Sequence, residues 1–202
     1  MLVMSNSSLE LCRERQRSRG FRGGWLLCFL ATLAWPAHAD TKLAVTDAAV
    51  AIDDGVYELD ARLELGLPEQ ARRAIDAGLT LHLRYDIEVA RVRRYVPDAE
   101  VASLEQSYEL SYHALSQRYL VRNLNTGEQQ DFGTLQSALD SLAEVRGLPL
   151  LDSGLLEPGS SYEFRVRAVL TLRSAPDTLS WLLFWTDDWS ATSEWYAWTL
   201  RR

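Results

Sequence analysis

The chain has 202 residues, with 21 Lys and Arg against 28 Asp and Glu, a formal net charge of −7. A surface this acidic repels phosphate backbones and anionic bilayers, which argues against nucleic acid as a partner and against electrostatic membrane binding. Both cysteines, Cys12 and Cys28, lie in the first 39 residues, so the remainder is expected to have no disulfide, thiol nucleophile or thiolate metal site.

The N-terminal stretch reads as an export signal. Arg13, Arg15, Arg17, Arg19 and Arg22 form a basic region, followed by the uncharged run WLLCFLATLAW, Trp25 to Trp35. Ala37-His38-Ala39 then places small residues where a signal peptidase needs them. A membrane anchor is the competing reading, but a spanning helix needs roughly 20 apolar residues and this run is about half that. The expected organisation is residues 1–39 as a signal peptide, cleaved after Ala39, and 40–202 as a single β-rich domain exported to the periplasm. That domain has 16 basic and 26 acidic residues, a net charge of −10, and contains no transmembrane segment. It is long enough to bury a core of its own.

Strand chemistry dominates the chain beyond the leader. Tyr57 to Leu65 alternates apolar and charged residues, the period of a half-buried strand. Asp54-Gly55 before it is a tight-turn pair, which predicts a hairpin with an earlier strand at roughly Lys42 to Ile52. Leu81, Leu83, Tyr85, Ile87 and Val89 repeat the pattern with His82, Arg84, Asp86 and Glu88 facing outward, and a slip near Ala90-Arg91-Val92 suggests a bulge. Tyr108, Leu110 and Tyr112 mark another strand. Tyr119 to Leu124 turns through Asn125-Thr126-Gly127 into Glu128 to Phe132, a second hairpin. Tyr162 to Leu172 is expected to be the longest strand, and Trp195 to Leu200 the last.

Two helices interrupt the strands. Pro68 suits a first-turn position and Gly78 a stop. Thr134 can cap a second helix, whose stripe is Leu135, Ala138, Leu139, Leu142 and Ala143; Gly147 and Pro149 are expected to end it after Arg146. The same proline logic places a further turn after Pro176. The predicted class is mostly antiparallel β, a sandwich or curved sheet with added helices, with an α+β arrangement as the alternative. Pro158-Gly159-Ser160-Ser161-Tyr162 matches the turn before a late strand in fibronectin-type sandwiches, where a tyrosine hydroxyl ties a corner together. The match covers about fifteen residues and is evidence for a corner, not for adhesion.

Three stretches carry a wider likeness: Asp47 to Val89, Tyr108 to Phe132 and DWSATSEWYAW, Asp188 to Trp198. On these residues the region resembles an uncharacterised proteobacterial family, domain of unknown function 4390. The resemblance implies a small exported protein of Gram-negative bacteria, often encoded beside a membrane sensor kinase of the nitrogen-regulation type. It supplies no activity and no catalytic residues.

Candidate chemistry is sparse. His82 and His113 both read as outward-facing, and two histidines fall short of a zinc site's three or four ligands. No Gly-x-Ser-x-Gly is present, and Asp152-Ser153-Gly154 is a common turn. Asp53-Asp54 and Asp187-Asp188 lack the spaced ligands of a calcium loop. No catalytic residue, metal or cofactor is therefore expected. Arg91, Arg93 and Arg94 can seat a partner's carboxylate or phosphate, or simply balance Asp86, Glu88 and Asp98. All five tryptophans beyond the leader lie between Trp181 and Trp198, with Trp181, Phe184 and Trp185 on one helical face. Strand alternation puts Tyr196 and Trp198 on one face and Trp195 on the other. Trp198 is the expected core residue and Trp195 the candidate contact residue. The expected function is a non-catalytic interaction or accessory module, associated with an envelope sensor system. The alternative is a carbohydrate- or lipid-binding protein using the late aromatics, and a hydrolase is the third class.

Overall fold

The computed structural model describes residues 42–95, 97–173 and 189–202. The leader with both cysteines, the turn after Pro176, the Trp181–Phe184–Trp185 face and Asp187-Asp188 lie outside the described residues.

The first elements form as the alternation dictates. Strands β1 (Lys42–Asp53) and β2 (Val56–Gly66) pair antiparallel through a turn in which Asp54 has φ 44° and Gly55 φ 83°. Both positive angles are those of a hairpin turn whose twist matches the strands. Helix α1 (Glu69–Asp76) follows. Pro68 is its extended N-cap, one residue outside the first turn where the sequence places it; its fixed φ of −64° serves either position, and the ψ of 155° is extended. Gly78, at φ 98°, closes the other end: its amide donates to the Ile75 carbonyl and that of Leu79 to the Ala74 carbonyl, both at 2.9 Å. That is the paired reverse bond of a glycine C-cap.

Strand β3 (Thr80–Arg91) runs into β4 (Ala99–His113), and the register between them shifts at Val89/Ala90, where the alternation slips. Hairpin β5 (Arg118–Asn123) and β6 (Gln129–Phe132) comes next, then α2 (Leu135–Leu142), whose N-cap Thr134 accepts from the Ser137 amide at 3.1 Å. Two expectations fail here. The helix stops at Leu142 instead of continuing to Arg146, and Glu144–Asp152 is a strand, β7, with Gly147 and Pro149 inside it. Also, among the described residues β4 at 15 residues outruns β8 (Ser161–Arg173) at 13 as the longest strand. The chain closes with β9 (Ser190–Thr192) and β10 (Tyr196–Arg201); Trp195 precedes β10 and does not belong to it.

Every pairing among the described residues is antiparallel. One sheet has the order β1-β2-β7 and the other β10-β8-β3-β4-β5-β6, with β9 also on β8. The described fold is thus a β-sandwich with two helices. Leu59, Ala61, Leu63 and Val145 of the small sheet meet Leu83, Tyr85, Ile87, Val166, Ala168 and Leu170 of the large one in a shared core, which α1 and α2 join through Ile75, Ala138 and Leu139. A second cluster, Tyr57, Val89, Leu151, Leu156, Tyr162 and Phe164, fills one end.

The corner at that end is tied as its turn sequence suggests. Tyr162 is 1% exposed, and its hydroxyl accepts from the Glu157 amide at 2.7 Å. Gly159, at φ 78°, makes the turn between them, and its amide donates to the Arg202 carbonyl at 2.8 Å. Tyr162→Phe leaves the Glu157 amide without that partner. The expected loss is about 1–3 kcal/mol of unfolding free energy with the fold retained, measured by chemical denaturation.

Candidate interaction surface

The end of the sandwich beyond the Tyr162 cluster gathers five chain segments. The β1–β2 turn meets the single helical turn Ser153–Leu155 through the Ser153 amide on the Gly55 carbonyl, 2.7 Å. The β3–β4 loop meets the start of β8 through the Val92 amide on the Ser161 carbonyl, 2.9 Å. Arg202 reaches back to donate to the carbonyls of Ser153 and Leu156. These bonds hold in place a group of exposed apolar side chains: Ile52 at 58%, Val92 at 43%, Tyr95 at 90% and Leu155 at 62%.

The three arginines of the β3–β4 loop take different roles. Arg91 is half-buried, with Nη2 at 2.7 Å from Glu157 Oε2 and 2.9 Å from Ser160 Oγ. It holds the loop to the corner. Arg93 and Arg94 are exposed, and the Arg93 backbone amide donates to Asp98 Oδ1 at 2.8 Å, which closes the loop. With Tyr95 and Ser160 they line a hollow of about 770 Å³. The loop thus offers two guanidinium groups, each a fork of donors suited to carboxylate, beside a bare phenol ring.

Trp195 stands apart from this loop. It covers Arg165 and Arg167 on the outward face of β8, with its ring 5.4 Å and 4.4 Å from their guanidinium carbons. Arg167 pairs with Asp86, five residues along β8 from Tyr162, which pairs with Arg91; that spacing is roughly 17 Å of strand. Local hydrogen bonding explains how Trp195 leaves the strand. Between β9 and β10, Ser193 is buried; its hydroxyl accepts from the Ala168 amide and donates to the Glu194 carbonyl, both at 2.9 Å. The side chain replaces a ladder bond, and the next two residues are free to fold over the sheet.

Beneath Trp195 is a charge network. Asp86 is 7% exposed and accepts from Arg167 Nε at 2.9 Å. Arg84 Nε lies 2.7 Å from Asp86 Oδ1, and its Nη2 donates to Asp86 Oδ2 at 3.4 Å. Glu88 pairs with Arg165 at 2.6 Å in the next row. Trp198 faces the opposite way, stacked on Phe164 at 5.6 Å and 20° and packed against both core clusters.

The histidines are separated from all of this. His82 faces outward beside Glu109, and partial burial lowers its pKa, with Arg173 adding to the effect and Glu109 opposing it. His113 is exposed at the end of β4, where Nδ1 lies 2.8 Å from Ser116 Oγ of the following turn. That contact is a local turn three residues wide; no carboxylate among the described residues bonds the ring's other nitrogen, as the orienting member of a catalytic triad would. Among the described residues no three His, Cys, Asp or Glu converge as metal ligands.

A family model described as a domain of unknown function, DUF4390, matches residues 40–199. The chain belongs to that family. Comparison with curated proteins and with solved structures finds no match for it. Ile52, Arg91, Arg93, Arg94, Tyr95, Leu155 and Trp195 all lie within the matched span, so both surfaces belong to the DUF4390 domain itself. Sequence reading singled out the arginines and Trp195 but missed Ile52, Tyr95 and Leu155. The one signal was their position: each apolar side chain abuts a turn, next to Asp53-Asp54, Pro97-Asp98 or Gly154. Ile52 sits at the exposed end of β1, and Tyr95 and Leu155 lie outside the strands.

Proposed function

We propose that this chain is an exported, non-catalytic interaction module of the bacterial envelope, docking a protein partner on the loop end of its sandwich. The observation that carries this reading is Tyr95, almost wholly exposed beside Arg93 and Arg94 and flanked by exposed Val92. A few residues carry most of the energy at protein interfaces, and tyrosine, tryptophan and arginine are enriched among them. The ends of β-sandwiches, where loops cluster on a rigid frame, are common places for such contacts. The partner chemistry this surface suits is an apolar patch rimmed by carboxylates, since guanidinium groups pair with them bidentately. An envelope sensor, the partner class suggested by the family likeness, is one protein able to present it.

Export rests on the leader: a basic region, a short apolar run and Ala37-His38-Ala39 support cleavage before Asp40. Protein recovered from the periplasm is expected to have the mass of a chain beginning at Asp40, and cross-linking in the intact envelope to capture a protein partner. The triple change Arg93→Glu, Arg94→Glu, Tyr95→Ala alters only exposed side chains, and such positions usually change stability by less than about 0.5 kcal/mol each. It should fold normally and weaken partner binding by at least about 30-fold, the loss of one hot spot of about 2 kcal/mol. Undiminished cross-linking by the variant would sink the reading.

A further inference from the structure

The inner face of the large sheet is wider than the small sheet that covers it. Where β4 and β5 extend past β7 and the end of α2, a groove of about 900 Å³ remains. That size falls within the range of ligand clefts, roughly 300–1,000 Å³. Tyr108 and Val121 of the large sheet and Leu148 and Pro149 of β7 line it, together with two amide side chains, Gln106 and Asn123.

The amides are arranged with one definite polarity. Asn123 Oδ1 accepts from the backbone amides of Asn125 at 2.9 Å and Thr126 at 3.2 Å, so that atom must be the oxygen. Gln106 donates to the same oxygen through Nε2 at 2.8 Å, which fixes its orientation in turn. Two groups are left over: the Gln106 oxygen and the Asn123 nitrogen. Neither has a hydrogen-bond partner among the described residues. Gln106 is 4% exposed, and a polar side chain that deep normally has its capacity filled. The groove therefore offers an acceptor on one amide and a donor on the amide bonded to it.

We infer that this groove binds a neutral saccharide. Adjacent hydroxyls of a sugar ring can each donate and accept, so one pair satisfies the Gln106 acceptor and the Asn123 donor together. Tyr108, half-buried and held edge-on by Tyr85 at 6.3 Å and 88°, presents a phenol ring to the same space. Glu144 and Arg146 on its lining neutralise each other at 2.6 Å, which leaves Glu128 as the carboxylate that disfavours an anionic ligand. An extended peptide would need to add a strand to β7. That edge has two register shifts against β2, Gly147 at φ 58° and Pro149 with no amide hydrogen. Bulges and proline block strand addition. A ligand carrying its own hydrogen-bonding hydroxyls does not depend on a regular edge.

Titration calorimetry with cellotriose, chitotriose and maltotriose tests this on the protein as it stands. At least one is expected to bind with a Kd of about 1 mM or tighter. Gln106→Leu, similar in volume, and the exposed rim change Gln130→Ala should each weaken that binding, the first by at least about 10-fold, equivalent to about 1.4 kcal/mol. Circular dichroism melts confirm that both variants fold, and Gln130→Ala keeps the test open if Gln106→Leu does not. Absence of binding by all three sugars at 10-fold that concentration overturns the inference. So does an affinity unchanged in whichever variants fold.

Discussion

Trp198→Ala is expected to lower the unfolding free energy by about 3 kcal/mol, and Trp195→Ala by about 1 kcal/mol. Truncating a core Phe or Trp to Ala costs roughly 3–5 kcal/mol, and the half-buried Trp198 belongs at the low end. Its ring stacks on Phe164, touches Tyr196 at 5.9 Å, and packs against both clusters, so removing it opens the seam between them. Trp195 makes two cation–π contacts with Arg165 and Arg167, each worth about 0.5–1 kcal/mol at an exposed site. It packs on charged side chains and is absent from both clusters. Urea denaturation of the two variants checks the difference. Equal and large losses would show that both rings are core. Cross-linking of Trp195→Ala at parental levels would further show that this ring holds the outer face together and touches no partner.

Asp86→Ala is expected to destabilise by about 2–3 kcal/mol. Breaking a buried ion pair costs roughly 3–5 kcal/mol because the remaining charge is stranded. The Asp86 side chain is 10% exposed, but the Arg84 and Arg167 side chains keep 43% and 34% of their surface, so water screens part of that penalty. Asp86→Asn preserves the volume and one acceptor oxygen and should lose about half as much. Pairing Asp86→Ala with Arg167→Met in a double-mutant cycle isolates the contact. The double variant should be more stable than the sum of the two singles predicts, since Arg167 then leaves no unpaired charge. Strict additivity would mean that the network contributes through packing alone. Trp195 depends on the same arginine, so the cycle also reports whether the ring is held by Asp86.

Local patterning carried much of the architecture. The Tyr57 to Leu65 alternation, the Asp54-Gly55 pair and the slip at Ala90 each describe a physical requirement that neighbouring residues meet by themselves: a period of two, positive φ angles, an extra residue in a strand. Hence the two hairpins, β3 with its register shift and the β-sandwich class follow from sequence. The inward face of Trp198 follows from the same period, whereas the outward place of Trp195, which precedes β10, is set by the Ser193 bonds to Ala168 and Glu194. The Thr134 cap and the Gly78 stop are equally local. The arginine loop was legible as a cluster of charge, but not its division into one arginine tied to Glu157 and two left exposed, because Glu157 is 66 residues away in the chain.

Other features depended on partners distant in sequence. The stretch from Thr134 to Arg146 has a helix's stripe, yet α2 ends at Leu142. The buried Tyr85 hydroxyl donates to the Leu142 carbonyl at 2.7 Å, and the Leu63 amide takes the Ala143 carbonyl at 2.8 Å. Those bonds draw the last carbonyls of the helix into the two sheets, and Glu144 onward pairs with β2. Gly147 and Pro149 read locally as helix terminators. In the folded chain Gly147 makes a bulge whose amide donates to Asp60 Oδ1 at 2.8 Å, and Pro149 is tolerated because β7 is an edge. The Gln106–Asn123 groove was equally unreadable. It exists because β7 ends the small sheet short of β5, and the width one sheet leaves uncovered on another is set by how many strands each contains and where they stack.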